Sequence, residues 1–168
     1  MMDDENQKLY INYSSLIAEK LEEMLNNNLI SVVLFGSAAR GDAGEGSDID
    51  ILIVAEKFGK EGRFEFFNVI DKDLKASDEY RKLKERKLGT LISPVPLTPL
   101  EVKKNPSILL DMVTDGIILY DVDDFIENKI ENLRKKLTKI GSKKIFLDDT
   151  RYYWDLKPNY RMGEVVII

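Results

Sequence analysis

The sequence predicts an α/β (α+β) domain, a mixed central sheet flanked by helices, with a C-terminal helix and β-hairpin extension. Three observations predict it. Two short apolar runs, Ile30 to Phe35 and Ile51 to Val54, are β-branched in part and too brief for helices, as in buried central strands. The segments around them carry apolar residues at three- and four-residue steps, the period of amphipathic helices. The 168 residues, 43% hydrophobic and 33% charged, suit one globular domain, in which folding buries about 70% of the unfolded surface without a covalent staple. Residues 1–168 therefore read as a single domain, with a core over 1–121 and an extension over 122–168.

The elements follow in order. Leu9, Tyr13, Leu16, Ile17, Leu21, Met24 and Leu25 form one apolar stripe and predict a helix from about Asp4 to Asn27, ended by the three asparagines 26–28. The strand Ile30 to Phe35 comes next, and residues 48–54 repeat its pattern. From Gly62 to Lys87, Phe64, Phe67, Ile70, Leu74, Tyr80 and Leu83 mark one or two amphipathic helices ending near Gly89. Leu91 to Leu97 is a third strand, which Pro94 and Pro96 push to a sheet edge because each lacks a ladder donor.

Thr98-Pro99-Leu100-Glu101 has the form of a capping box with proline in the first turn, and Asn105-Pro106 repeats the signal for Ser107 to Thr114, so two short helices are expected. Gly116 to Tyr120 is a further strand. Asp123 or Asp124 should then cap a helix through Ile126, Ile130, Leu133, Leu137 and Ile140, stopped by Gly141. Lys144 to Leu147, Tyr152 to Leu156 and Glu164 to Ile168 read as terminal strands separated by turns.

Composition removes several chemistries. With no histidine and no cysteine, zinc sites of the usual kind and Ser-His triads are excluded, which leaves carboxylates as metal ligands and magnesium or manganese as the fitting cations. The net charge of −5 argues against a whole-surface nucleic-acid binder. No apolar run reaches the length of a membrane span, and the polar, acidic start lacks the regions of a secretory signal, so a cytoplasmic protein is expected.

The chemistry concentrates between Leu29 and Val54. Gly36-Ser37 ends a strand where a helix begins, exposing backbone N–H groups suited to phosphate oxygens; the glycine permits close approach and the serine adds a hydroxyl. Arg40 follows one turn later, able to offer its guanidinium to a phosphate, and Gly41, Gly44 and Gly46 keep the following loop compact. Asp48 and Asp50, two apart in a strand, place their carboxylates on one face roughly 6.6 Å apart along the chain, a pair that could grip magnesium. A bare pair of aspartates can equally start a solvated strand, and the signal lies in the order and spacing of the whole set. Neither a P-loop nor a dinucleotide-binding fingerprint is present.

Gly36-Ser37, Arg40-Gly41 and Ser47-Asp48-Ile49-Asp50 resemble the signature of the DNA polymerase beta-type nucleotidyltransferase superfamily, and the chain resembles its minimal archaeal and bacterial members. The stretches Leu109 to Asp121 and Tyr152 to Pro158 with Gly163-Glu164 are similar to archaeal nucleotidyltransferase-domain proteins of unassigned substrate. The resemblance implies a nucleotidyltransferase fold in which Gly36, Ser37, Arg40 and Ser47 hold a nucleoside triphosphate such as ATP. It implies that Asp48 and Asp50 are catalytic and bind Mg2+ or Mn2+ while a nucleoside monophosphate passes to an acceptor hydroxyl on a small molecule, an RNA end or a protein. It also implies one alternative, an antitoxin-like partner of a HEPN-domain protein, and a departure from its pattern raises another, a catalytically weak or inactive nucleotide-binding module.

One departure bears on activity. The superfamily pattern implies a third carboxylate on a neighbouring strand, yet Thr90 to Leu97 carries no acid. Glu101 is nearest, and its place in the Thr98 capping box gives it a structural role; Glu65, Asp71 and Asp73 read as solvated. In the tail, Arg151, Tyr152, Tyr153, Trp154, Lys157, Tyr160 and Arg161 mix aromatics with bases, which suits either nucleotide stacking or the packing of a terminal hairpin, the commoner case.

Overall fold

A computed structural model describes residues 3–58, 62–148, 151–162 and 164–165. Its main sheet has four strands: β1 (Leu29–Phe35), β2 (Ile49–Ala55), β3 (Ile92–Leu97) and β4 (Ile117–Asp121), in the order β3-β2-β1-β4. β1 runs antiparallel to both β2 and β4, and β3 runs parallel to β2, so the sheet is mixed. The expected fold class, a mixed sheet flanked by helices, is the one observed.

Alternation along β1 and β2 supplies both faces of the sheet. Val32, Leu34, Ile49, Ile51 and Ile53 meet α1 (Asp4–Leu25), α3 (Glu65–Ala76) and α4 (Asp78–Glu85) on one side. Val33, Phe35, Leu52 and Val54 meet α5 (Pro99–Lys103), α6 (Met112–Asp115) and α7 (Phe125–Ile140) on the other. Burial on both faces explains why β1 and β2 read as continuous apolar runs. Each fully buried leucine or isoleucine there contributes about 1.5–3 kcal/mol of transfer free energy. In α1 the buried set also includes Tyr10 and Ser14, beyond the stripe read from spacing.

β3 is an edge strand, as its prolines require: Pro94 and Pro96 occupy alternate positions, so both missing donors fall on the side without a neighbour. Thr98 and Glu101 form the expected capping box at α5, and Arg63 Nη1 adds an ion pair to Glu101 at 2.8 Å. That pairing, followed by the backbone and hydroxyl bonds from Thr98, holds the Glu101 carboxyl down to about 2 from its ordinary 4.5. A lowered carboxylate contributes stability above the unfolded value that is lost as pH falls through the folded one. Acid unfolding between about pH 4.5 and 2 is therefore expected to become shallower in Glu101→Gln, as followed by circular dichroism.

Two expectations need correction. Neither Asp123 nor Asp124 caps α7: both lie in the left-handed region, at φ 51° and 53°, and Asp124 makes no side-chain capping bond. Asp121, at the end of β4, does it instead. Its carboxylate accepts from the N–H groups of Ile126 (3.0 Å) and Glu127 (3.0 Å) and from the Ser31 hydroxyl (2.6 Å). The two left-handed residues turn the chain so that the helix start faces back onto the strand, which aims its free N–H groups at Asp121. The terminal strand expected at Glu164 to Ile168 is absent at residues 164–165, and residues 166–168 lie outside the described set.

Ser107 to Thr114 divides into a 3-10 helix, Ser107–Asp111, and α6. The C-terminal hairpin pairs β5 (Lys143–Phe146) with β6 (Tyr152–Asp155) as a separate two-stranded sheet. It docks through Trp154 and Leu156 onto the α5–α7 side of the core, and the Ser142 hydroxyl donates to the Leu156 carbonyl at 2.6 Å. No helix among the described residues is long and apolar enough to cross a membrane.

Candidate functional site

The site is built where β1 hands over to a short helix. Phe35 is extended, Gly36 turns to φ 71°, and α2 (Gly36–Arg40) begins at once, closed by Gly41 at φ 80°. Only glycine adopts these left-handed angles freely. Ala38 and Ala39 are buried, letting α2 lie close to α1, and Gln7 Nε2 donates to the Ala39 carbonyl at 2.8 Å. Gly36 and Ser37 are only half-buried, and the first turn of α2 carries backbone N–H groups that a helix cannot satisfy itself.

β2 supplies the acids. Asp48 is exposed just before the strand, and Asp50, half-buried, lies opposite Phe35 on β1 and Ser93 on β3. Asp50 shares its face with Leu52 and Val54, the α5–α7 side of the sheet. A Cβ built on Gly36 would collide with the Asp50 carboxylate, its Cγ only 3.1 Å away. The backbone turn and the acid are therefore in contact, with room for no side chain between them.

Burial, above all, pushes the Asp50 carboxyl above its usual range. A hydrogen bond with the Ser93 side chain opposes this; the charges of Asp48 and Asp111 add to it, and Arg40 opposes them. Burial is thus the main cost of ionising Asp50, the neighbouring acids add to it, and a bound cation would favour the ionised form.

Arg40 and Ser47 are both engaged. Arg40 Nε donates to Asp42 Oδ2 at 3.2 Å, and its guanidinium carbon lies 5.4 Å from the Tyr152 ring centre. Ser47 Oγ accepts from the Gly44 N–H at 2.9 Å, stapling the loop ahead of Asp48. The Tyr10 hydroxyl braces that loop from beneath, accepting from the Gly89 N–H (3.0 Å) and donating to the Gly44 carbonyl (3.4 Å). A Cβ on Gly89 would strike the Ser47 carbonyl. Gly89→Ala is accordingly expected to destabilise the fold by about 1–3 kcal/mol through overpacking, measured as a lowered midpoint in urea.

Gly36, Ser37, Arg40, Asp48 and Asp50 thus border one region, with Ser47 in the loop behind it. Sequence reasoning missed two neighbours, Ser93 and Asp111, and left a third, Tyr152, between nucleotide stacking and hairpin packing. Ser93 occupies the strand position next to Asp50, so the acid-free reading of that strand holds in space. Asp111 and Tyr152 come from far along the chain, the Tyr152 hydroxyl donating to Asp111 Oδ1 at 2.7 Å. Both lie in stretches whose composition stood out, but nothing local brings them together. The expected packing role of the tail holds for Trp154, while Tyr153 and Tyr160 are exposed. A cavity of about 490 Å³ on the other face, lined by Tyr13, Phe67, Asn68 and Ile92, contains none of the site residues.

The Gly36 turn thus packs against a strand acid, with a second acid two residues earlier in the chain. The chain belongs to the nucleotidyltransferase-domain family, whose pattern it matches over residues 15–163, and it is an enzyme of that class. It is 31% identical over 148 residues, 87% of this chain and 94% of the relative, to a Methanocaldococcus jannaschii protein named "Putative protein adenylyltransferase". Among solved structures it is similar to a chain of a mutant toxin–antitoxin complex, MntA-HpeT, with 17% identity, 76% and 92% coverage of the two chains and a TM-score of 0.47. It is also similar to a chain of a Shewanella oneidensis complex of a tri-AMPylated HEPN toxin with its MNT antitoxin, with 19% identity, 80% and 92% coverage and a TM-score of 0.42.

Proposed function

We propose that this chain is a magnesium- or manganese-dependent adenylyltransferase that moves AMP from ATP to a hydroxyl on a protein, working as one domain in the cytoplasm. The observation that carries the reading is the contact between the Gly36 turn and the Asp50 carboxylate. It joins a place for phosphate oxygens to a place for a cation, and a nucleoside triphosphate is the ligand that needs both. The choice of adenylate and of a protein acceptor is supported by the name of the Methanocaldococcus jannaschii relative.

The donor set fits a hard divalent cation. Among the described residues no group of three or more acidic side chains is placed to hold a metal. Magnesium commonly takes one or two protein carboxylates and completes its shell with water and substrate phosphates, so Asp48 and Asp50 suffice as the protein's share. When bound there, the cation would draw charge from the phosphates. The first turn of α2, Gly36 and Ser37 foremost, would hold the triphosphate oxygens, and Arg40 would add the guanidinium nitrogens that Asp42 leaves open. Ser47 would keep the Asp48 loop closed. The acceptor hydroxyl gives up its proton to solvent as its oxygen bonds to the α-phosphorus, the bond from that phosphorus to the bridging oxygen breaks, and pyrophosphate leaves with that oxygen.

A second reading, a nucleotide-binding module with little transfer, is favoured by the acid-free strand beside Asp50, where Ser93 stands in register with it. One experiment separates the two: the protein is incubated with ATP labelled at its α-phosphate, magnesium or manganese, and an extract of its host. Label on a protein supports the first reading, and a HEPN-type partner recovered by co-purification is an acceptor to try in the same assay. Calorimetric binding of nucleotide without label in any fraction supports the second. Label confined to RNA or small molecules would move the acceptor out of the protein class, and no binding at all would sink both readings.

A further inference from the structure

We infer that Tyr152 is a positioning residue of the nucleotide site: its ring steadies Arg40 and its hydroxyl orients Asp111, making the C-terminal hairpin a wall of that site. This rests on the reading of the Gly36 and Asp50 region as the place where a triphosphate binds.

Tyr152 sits where three elements meet. The Arg40 guanidinium lies 5.4 Å from the ring centre, and Lys144 Nζ lies 4.1 Å from it, so the ring's negative faces meet two cations. Lys144 is in turn held by Asp115 at 2.6 Å and by the Thr114 hydroxyl at 2.8 Å, which ties the ring to α6. The Tyr152 hydroxyl donates to Asp111 Oδ1 at 2.7 Å. Asp111 ends the 3-10 helix that runs directly into α6, and its side chain makes no capping bond there. Its carboxylate turns to the tyrosine instead.

The consequence for Arg40 is conformational. A free arginine side chain has substantial rotamer entropy to lose on gripping a phosphate. With Asp42 on Nε and Tyr152 beside its plane, much of that loss has occurred before ligand arrives, while its terminal nitrogens make no hydrogen bond to the described residues. The negative charge of Asp111 reaches Asp50 and Tyr152, and the positive charge of Arg40 reaches the same two groups, so all four share one electrostatic environment. A residue that only fastened the hairpin would need none of these links, because Trp154 and Leu156 already dock it.

The test uses the full chain and calorimetric binding of a non-hydrolysable ATP analogue with magnesium, alongside thermal melting. Tyr152→Leu keeps apolar bulk but has no ring face for Arg40, and is expected to bind about tenfold more weakly. Tyr152→Phe keeps the ring and is expected to bind within about twofold of the parent; where transfer is measurable, its kcat falls while its KM for ATP stays. Tyr153→Leu, altering the exposed neighbour on the opposite face of β6, should bind as the parent does. Arg40→Gln and Tyr152→Leu combined should weaken binding by less than the product of their separate effects.

Parental binding by Tyr152→Leu, equal losses in Tyr152→Leu and Tyr153→Leu, or a multiplicative double variant would each overturn the inference while leaving the site reading intact. Failure of the parent to bind the analogue would overturn both. Binding by the parent without transfer would count against the enzymatic reading alone, because the positioning test is read in affinity.

Discussion

Asp48→Asn combined with Asp50→Asn is expected to abolish nucleotide transfer, by at least about a thousandfold, while leaving the protein folded. Asparagine matches aspartate in shape, so the packing around β2 is preserved. What disappears is the charge pair that would hold the cation. Asp50 gives this prediction a second, independent readout. Because burial and the charges of Asp48 and Asp111 raise its carboxyl, ionised Asp50 costs the native state stability at neutral pH, and the cost vanishes when the group is protonated or made neutral. The double variant should therefore melt no lower than the parent without metal. Added manganese with ATP should raise the melting temperature of the parent but not of the variant. Parental transfer by the double variant would show that the acids lie elsewhere.

Gly36→Ala should be nearly as damaging, by a different route. The φ of 71° alone costs an alanine on the order of 1–2 kcal/mol. The added methyl group would also occupy the space of the Asp50 carboxylate. Relief requires either β1 to draw away from β2 or Asp50 to swing aside, and both open the distance between the phosphate turn and the cation position. We expect transfer to fall at least a hundredfold, with nucleotide affinity lost alongside it. Gly41→Ala is the informative comparison: it shares a left-handed φ, but the nearest atoms to its added methyl group would be those of the Gln7 side chain, at 3.4 Å. Similar damage in the two variants would mean that backbone strain, rather than the approach of Asp50, carries the effect.

The residues show why some of the molecule was legible in one dimension. The strands β1 and β2, the edge placement of β3 and the capping box at Thr98 and Glu101 all follow from patterns a few residues long. The α7 cap failed as a local reading because its acid, Asp121, belongs to the preceding strand, and the intervening left-handed pair turns the helix back onto it. The tail was ambiguous for a related reason. Trp154 packs into the core, Tyr152 turns to Arg40 and Asp111, and Tyr153 faces outward, so one aromatic run divides among three roles according to the face each side chain takes.

By itself, then, the sequence determined the helices and strands of the main domain in outline, the family signature from Gly36 to Asp50, and the absence of an acid on the third strand. Those are matters of periodicity, turn chemistry and residue order, which act over short stretches of chain. Only the tertiary structure decided that Ser93 stands beside Asp50, that the Gly36 turn touches the Asp50 carboxylate, and that Asp111 and Tyr152 close on the same region. Strand register and the docking of a distant hairpin are set by packing between residues far apart in the chain, and no local pattern encodes that packing.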